Sequence, residues 1–378
     1  MDERIRERAQ RAIAEKVFPG CVIGVVRSSE TRVFPIGNLR YRHRERSVAI
    51  QGMADKNSGL LHSVRNDADE PVCENTIYDL ASITKSIPLA SLALTFASEN
   101  PPRFNLADKV VTYLPELHND HDATIEDLLR YRVTGPRLSQ LHLKTFEEIR
   151  TYVFEHGFDL PRRSLGEGGW AGAYTNLPAF LLGLVIERVT GEILPVLAHK
   201  HFFEPLGMND TTFFPTVPDA SNSTGRQKLM RQDNDIAPSE IIDGVEIRGI
   251  VHDESARVFA HTRRAVGHAG LFSTAPDLLK FLEALLNVGH RMSYIVEGAQ
   301  KGLGWEVDRE WMGAFAKASA TRGAAVFGKT GFTGTSILCD VEKGIGLVIL
   351  SNRTYPHRPP DNSAINLFRK DIADIVLA

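Results

Sequence analysis

Strand-forming runs at both ends of the chain, with helix-patterned sequence between them, limit the possible folds more than any other feature. Near the N-terminus, Cys21 to Val26 is an apolar, β-branched run, and Thr31 to Ile36 is a weaker one. Together they read as a strand pair. Pro35 cannot donate to a ladder, so it suits the end or the edge of its strand. From about Ala324 the runs return as AAVF, TSILCD and GIGLVILSN, with Glu342-Lys343-Gly344 as a hairpin turn. Residues 2–17 form an amphipathic helix with Ile5, Ala9, Ala12 and Ile13 on one side, stopped by Pro19-Gly20. A last helix starts near Ser363 and places Ile365, Phe368, Ile372, Ile375 and Val376 on one face. The predicted fold class is α+β: one antiparallel sheet built from both chain ends, flanked by helices, plus a mainly helical domain.

The middle of the chain is read more coarsely. Residues 39–75 are polar and suggest a long loop. Helical patterning begins at Ser82 and runs to about Ala97. Residues 104–300 are mostly helical patterns broken by Pro and Gly. RRSLGEGGWAG (162–172) is a glycine-rich interruption, and 215–250 looks rich in loops. The expected division is residues 1–97 with 301–378 as the sheet unit and 98–300 as the helical unit, with the active site in the cleft between them. Thr124 and Asp127 make a capping-box-like helix start.

With 378 residues the chain is long for one compact core. A formal net charge of -3 gives no basic footprint for nucleic acid. No run of about 18 apolar residues suggests a membrane-spanning helix. The N-terminal stretch MDERIRERAQRAIAEK lacks the apolar region of a secretory signal. Three cysteines, Cys21, Cys73 and Cys339, are too few and too scattered for a disulfide framework. These features predict a cytoplasmic protein, or a periplasmic one if a signal segment has been trimmed, and they make nucleic acid a poor candidate partner; a small-molecule substrate is what the resemblance named below implies.

Three short motifs carry chemistry. Ser82-Ile83-Thr84-Lys85 is S-x-x-K at the start of a helical stretch. Three residues apart on a helix share a face, so Lys85 can point at the Ser82 hydroxyl, and a neutral amine there could take its proton. The helix N-terminus favours developing negative charge. Tyr174-Thr175-Asn176 would place a phenol and a carboxamide on one side of an extended segment. Lys329-Thr330-Gly331 sits at a strand edge, where it offers backbone N–H groups and a fixed ammonium. Each motif alone is also an ordinary cap, turn or strand edge; their order along the chain carries the weight.

With these motifs, FPGCVIGVV (18–26), YDLASITK (78–85), FEPLGMNDTTFF (203–214) and GKTGFTGTS (328–336), the chain resembles the penicillin-binding-protein and serine β-lactamase superfamily. The likeness is to class C β-lactamases and their esterase and D,D-peptidase relatives. VHDESA (251–256) and GHAGLFSTAPDLLKF (267–281) resemble a subgroup near small penicillin-binding proteins. The resemblance implies a β-lactamase/transpeptidase-like fold and an acyl-enzyme mechanism without cofactor or metal. Ser82 would attack, Lys85 would activate it, and Tyr174 would shuttle the proton. Asn176 would hold the substrate amide or ester. Lys329 would hold Tyr174 and the substrate, with Thr330 binding a polar group. Gly331 would complete the strand-edge motif, and the N–H groups of Ser82 and Phe332 would form the oxyanion hole. Three departures stand out: Phe332 is bulky where β-lactamases have a small residue, RYRVTG (130–135) replaces the THTSG of relatives, and the glycine-rich stretch precedes Tyr174. Small esters or D-amino-acid amides and peptides are therefore the expected substrates, with β-lactams poor; a true β-lactamase or D,D-carboxypeptidase is the alternative.

Other readings remain open at this point. GAAVFGKT (323–330) matches the phosphate-binding loop pattern G-x-x-x-x-G-K-[ST], though a strand context argues against it. His118, His121, Asp120 and Asp122 could be metal ligands, as could His252, Asp253 and His268, or a polar loop could account for the first group. His252 could instead line the substrate cleft. A catalytically inactive binding module on the same fold is a third possibility.

Overall fold

The structure, a computed structural model, describes residues 1–41, 70–120, 122–158, 175–215, 235–260, 262–287, 292–314 and 325–378. Tyr174, the glycine-rich 162–172 stretch, His121, Gly323 and Ala324, and most of the predicted 39–75 loop lie outside the described residues.

Ten strands are described: β1 (Gly20–Arg27), β2 (Glu30–Gly37), β3 (Tyr78–Asp79), β4 (Glu240–Ile242), β5 (Val245–Ile247), β6 (Phe272–Ser273), β7 (Glu306–Val307), β8 (Val326–Thr330), β9 (Ser336–Asp340) and β10 (Ile345–Ser351). The α-helices among the described residues are α1 (Asp2–Ala14), α2 (Ser91–Ser98), α3 (Ile125–Leu129), α4 (Phe146–His156), α5 (Leu177–Thr190), α6 (Leu194–Ala198), α7 (Glu254–Ala260), α8 (Ala275–Leu286), α9 (Ser293–Gln300) and α10 (Ser363–Leu377). Six strands form one antiparallel sheet in the order β2-β1-β10-β9-β8-β7. The joint between the two chain ends is β1 against β10, with Cys21 opposite Ser351 and Ile23 opposite Ile349. Pro35 lies on β2, an edge strand, where its missing N–H costs no ladder bond.

Both faces of the central strands are covered, which is why β10 reads as one continuous apolar run. Along β1, Cys21, Ile23 and Val25 join a core with Ile5 and Ala9 of α1 and Ile365, Phe368 and Ile372 of α10. Phe18 meets Phe368 edge-on at 4.9 Å between ring centroids. Val22, Val26, Val348 and Leu350 point the other way, into the larger core with Leu278, Leu279 and Leu282 of α8. This alternation is the period of two expected of a strand.

The middle of the chain is less uniformly helical than its pattern suggests. Glu240–Ile242 and Val245–Ile247 pair as a hairpin through Asp243-Gly244, both with positive φ. Asp-Gly is a strong two-residue hairpin signal, and the loop-rich reading of 215–250 passed over it. The two-residue strands β3, β6 and β7 are too short to leave a pattern in sequence. α3 begins at the expected capping box: Thr124 accepts from the Asp127 N–H, and Asp127 accepts from the Thr124 N–H.

Candidate active site

The turn carrying Ser82 is held from two sides. β3 pairs with β6, and the Leu80 N–H donates to the Leu271 carbonyl at 2.9 Å. From the sheet side, the Thr333 hydroxyl donates to the Asp79 carbonyl at 2.7 Å and the Thr335 hydroxyl to the Leu80 carbonyl at 3.1 Å. Ala81 then takes φ +46°, an uncommon conformation for a residue with a Cβ. The buried Asp79 carboxylate secures it by accepting the Ala81 N–H at 2.8 Å. Burial raises the Asp79 carboxyl to about 6.

The residues Ala81–Lys85 form a short 3₁₀-helix rather than the start of a continuous α-helix. Ile87 breaks the helical dihedrals, as a residue preceding a proline tends to do. In a 3₁₀ turn, residues three apart are eclipsed, so Lys85 stands directly over Ser82. Its Nζ lies 2.9 Å from the Ser82 Oγ and donates to the His268 carbonyl at 2.5 Å. Ser82 is partly exposed, whereas Lys85 is 1% exposed. Burial lowers the Lys85 ammonium to about 7; Asp253 opposes that shift and Lys329 adds to it.

Asn176 immediately precedes α5, and its Nδ2 donates to the Asp253 Oδ2 at 2.9 Å. Lys329 and Thr330 end β8. The Lys329 ammonium is buried, 3.3 Å from Glu306 Oε1 and 5.2 Å from the centre of the Tyr131 ring. Thr330 Oγ1 lies 3.5 Å from the same carboxylate, and the Trp311 indole N–H donates to its other oxygen at 2.9 Å. Burial alone would raise the Glu306 carboxyl, but Lys329 and the Trp311 hydrogen bond hold it below its usual value. At Gly331 a Cβ would fall 2.4 Å from the Leu80 carbonyl oxygen and 2.1 Å from Thr335 Oγ1. Glycine is needed there because the end of β8 touches the turn that carries Ser82. Phe332 is 44% exposed and stacks on the His252 ring at 5.7 Å, with the Arg353 guanidinium 5.0 Å from its centre.

Asp79, Glu306 and Tyr131 were not assigned chemical roles from sequence, and Asp253 and His268 were read only as candidate metal ligands. YDLASITK, VHDESA, GHAGLFSTAPDLLKF and RYRVTG marked four of these places by resemblance or departure. A side chain that touches a motif residue from far along the chain leaves no local spacing to read. The phosphate-binding-loop reading of Lys329 meets a geometric objection. Gly328, Lys329 and Thr330 lie on strand β8, paired with β9 throughout and with β7 at Gly328, and no helix opens at Lys329 as a phosphate-binding loop requires. His252 Nε2 is 2.8 Å from Glu240, and His268 Nε2 is 3.0 Å from the Ser255 hydroxyl. No group of three or more metal-ligating side chains occurs among the described residues.

Residues 2–370 match the family model described as Beta-lactamase. The chain belongs to the Beta-lactamase family. It is a serine hydrolase on the β-lactamase/transpeptidase fold. A putative D-alanyl-D-alanine carboxypeptidase of Escherichia coli (strain K12) is 27% identical over 352 residues, covering 82% of this chain and 75% of that one. A structure titled as a β-lactamase/D-alanine carboxypeptidase from Pseudomonas syringae superposes with a TM-score of 0.63 at 18% identity, covering 97% of each chain. EstCE1, a hydrolase with promiscuous acyltransferase activity, superposes with a TM-score of 0.64 at 18% identity, covering 98% of this chain and 97% of that one. At these identities the structural likenesses speak for the fold. Among the described residues of this family member, no helix is long and apolar enough to cross a membrane.

Proposed function

We propose that Ser82 is the nucleophile of an acyl-enzyme hydrolase acting on small esters or D-amino-acid amides and peptides, with β-lactams poor substrates. The observation that carries this reading is the 2.9 Å contact between Ser82 Oγ and a buried Lys85 whose ammonium is lowered to about 7. At neutral pH a large share of Lys85 is then a neutral amine, able to take the hydroxyl proton as Oγ bonds to the substrate carbonyl carbon. The tetrahedral oxyanion would be met by the N–H groups of Ser82 and Phe332. Collapse breaks the bond to the alcohol or amine, which leaves with a proton. Water then cleaves the acyl group from Ser82. In this reading Tyr174 relays the proton, Asn176 and Thr330 hold the substrate, and Lys329 supplies a fixed positive charge. The site lies in a cleft between the sheet unit, 1–97 with 301–378, and the 98–300 unit. Support comes from the hydrogen bonds that the Ser82 turn makes to both Leu271 and Thr333. All three cysteines are free thiols, which suits the cytoplasmic setting expected from sequence.

For substrate class, the support is the Phe332 ring, which stacks on His252 and lies 5.0 Å from the Arg353 guanidinium beside the Lys-Thr-Gly turn. A fixed aromatic wall there suits a slender acyl group better than a fused bicyclic ring. The 27% identical relative named a putative D-alanyl-D-alanine carboxypeptidase fits the peptide class. The test is kcat/KM for p-nitrophenyl butyrate, nitrocefin and a D-Ala-D-Ala peptide under one condition, since specificity is a ratio of such values. The ester or the peptide should lead. Nitrocefin exceeding the ester by about tenfold, about 1.4 kcal/mol in transition-state binding, would overturn the assignment.

A further inference from the structure

The carboxylate of Asp253 gathers more of the site than any of the three motifs. Its Oδ2 accepts from Asn176 Nδ2 at 2.9 Å. Its Oδ1 accepts from the Ser255 hydroxyl at 2.6 Å and the Ala256 N–H at 3.0 Å, with His268 Nε2 at 3.3 Å. The neighbouring His252 N–H donates to Asp79 at 2.7 Å, so this segment is tied to the same carboxylate that secures Ala81. His268 in turn offers its carbonyl to Lys85. One acidic side chain thus reaches the proposed substrate-holding amide directly and the proposed base through a single residue.

We propose that Asp253 is a positioning residue for the reaction: it fixes which way the Asn176 carboxamide faces and supplies the negative charge that acts on the buried Lys85. The first half follows from valence. An ionised carboxylate only accepts hydrogen bonds, so Asn176 must present its NH₂ to Asp253 and turn its Oδ1 away. The second half follows from charge. Lys329 has Glu306 at 3.3 Å, whereas the acidic group that acts on Lys85 is Asp253. Burial would favour the neutral acid at Asp253, but the hydrogen bonds from His268, Ser255 and Ala256 hold it ionised, well below the ordinary aspartate value. The charged and titratable groups around this pair are Lys329, whose positive charge lowers Lys85, His268 at 3.3 Å from Asp253, and Asp79, whose carboxyl Asp253 raises and Arg257 lowers.

This inference rests on Lys85 acting as the base, in its neutral form. The acid limb of the pH profile of kcat/KM then reports the loss of its proton. In Asp253→Asn, shape is kept and charge is lost, so the ammonium is held less firmly and the limb should move to lower pH by roughly one unit. In Asp253→Glu, the charge is kept but displaced. The limb should stay where the wild type has it, while kcat/KM falls by up to about 100-fold as Asn176 is misplaced. Circular dichroism and melting temperature establish that each variant is folded. An Asp253→Asn enzyme that is folded and weakened, yet keeps the wild-type limb, would reduce Asp253 to a structural role and overturn the proposal. Should Asp253→Asn not fold, Asp253→Glu decides, and wild-type turnover in it overturns the positioning claim. Ser82→Ala separates the two layers of argument. Residual turnover there removes the acyl-enzyme reading itself, whereas a dead Ser82→Ala with an unmoved Asp253→Asn limb removes this inference alone.

Discussion

Lys85 sits where an ammonium is poorly solvated, and the energy of that misfit appears as a proton released near neutrality. Its ordinary value is 10.5, and burial first, then Lys329, bring it to about 7. The neutral amine is the acting form, so the sign is fixed: kcat/KM rises as pH climbs through about 7 and the ammonium disappears. A rate profile from pH 5 to 9 should show that limb; one that begins near the ordinary lysine value would contradict it. Lys85→Ala should remain folded and lose about 10²–10⁴-fold in turnover, the usual cost of removing a general base. At this scale Ser82 and Lys85 were legible in sequence because three residues suffice to bring them together. Asp253 and Glu306 were not, since each meets its partner only after distant segments pack.

The element that links sheet and nucleophile is the end of β8. Gly331 lies against the Leu80 carbonyl, two residues before Ser82, and Arg369 of α10 donates to the carbonyls of Gly331 at 3.0 Å and Thr335 at 2.8 Å. A methyl at Gly331 cannot be absorbed by bending one flexible side chain, because its contacts include backbone. Gly331→Ala should cost roughly 1–3 kcal/mol of stability by overpacking, measurable by denaturant unfolding, and should lower turnover by displacing the Ser82 turn. Wild-type values in both would show that strand and turn adjust independently. The long strands and terminal helices were readable because each buries a face with a period of its own. Helix α10 places Ile365, Phe368, Ile372 and Val376 in the core as the pattern predicts. The β4–β5 hairpin was missed although Asp243-Gly244 marked it, because three residues per strand give the alternation too little length to register.

Across the molecule, the two chain ends have to meet before the site exists. The bond from Thr333 to Asp79 spans 254 residues and ties the segment carrying Ser82 to the sheet in which β1 pairs with β10 and β8 lies. The order of the three motifs along the chain made the family readable, while the geometry that unites them depends on this long-range pairing. The account therefore turns on one atom, the Ser82 Oγ set beside a buried amine in the turn where the sheet meets the middle of the chain. Intact-mass and peptide analysis after a fluorophosphonate tests it most directly. One adduct should form, on the peptide containing Ser82, and it should be absent in Ser82→Ala; an adduct that persists in Ser82→Ala, or that maps to another residue in the wild type, would contradict the account.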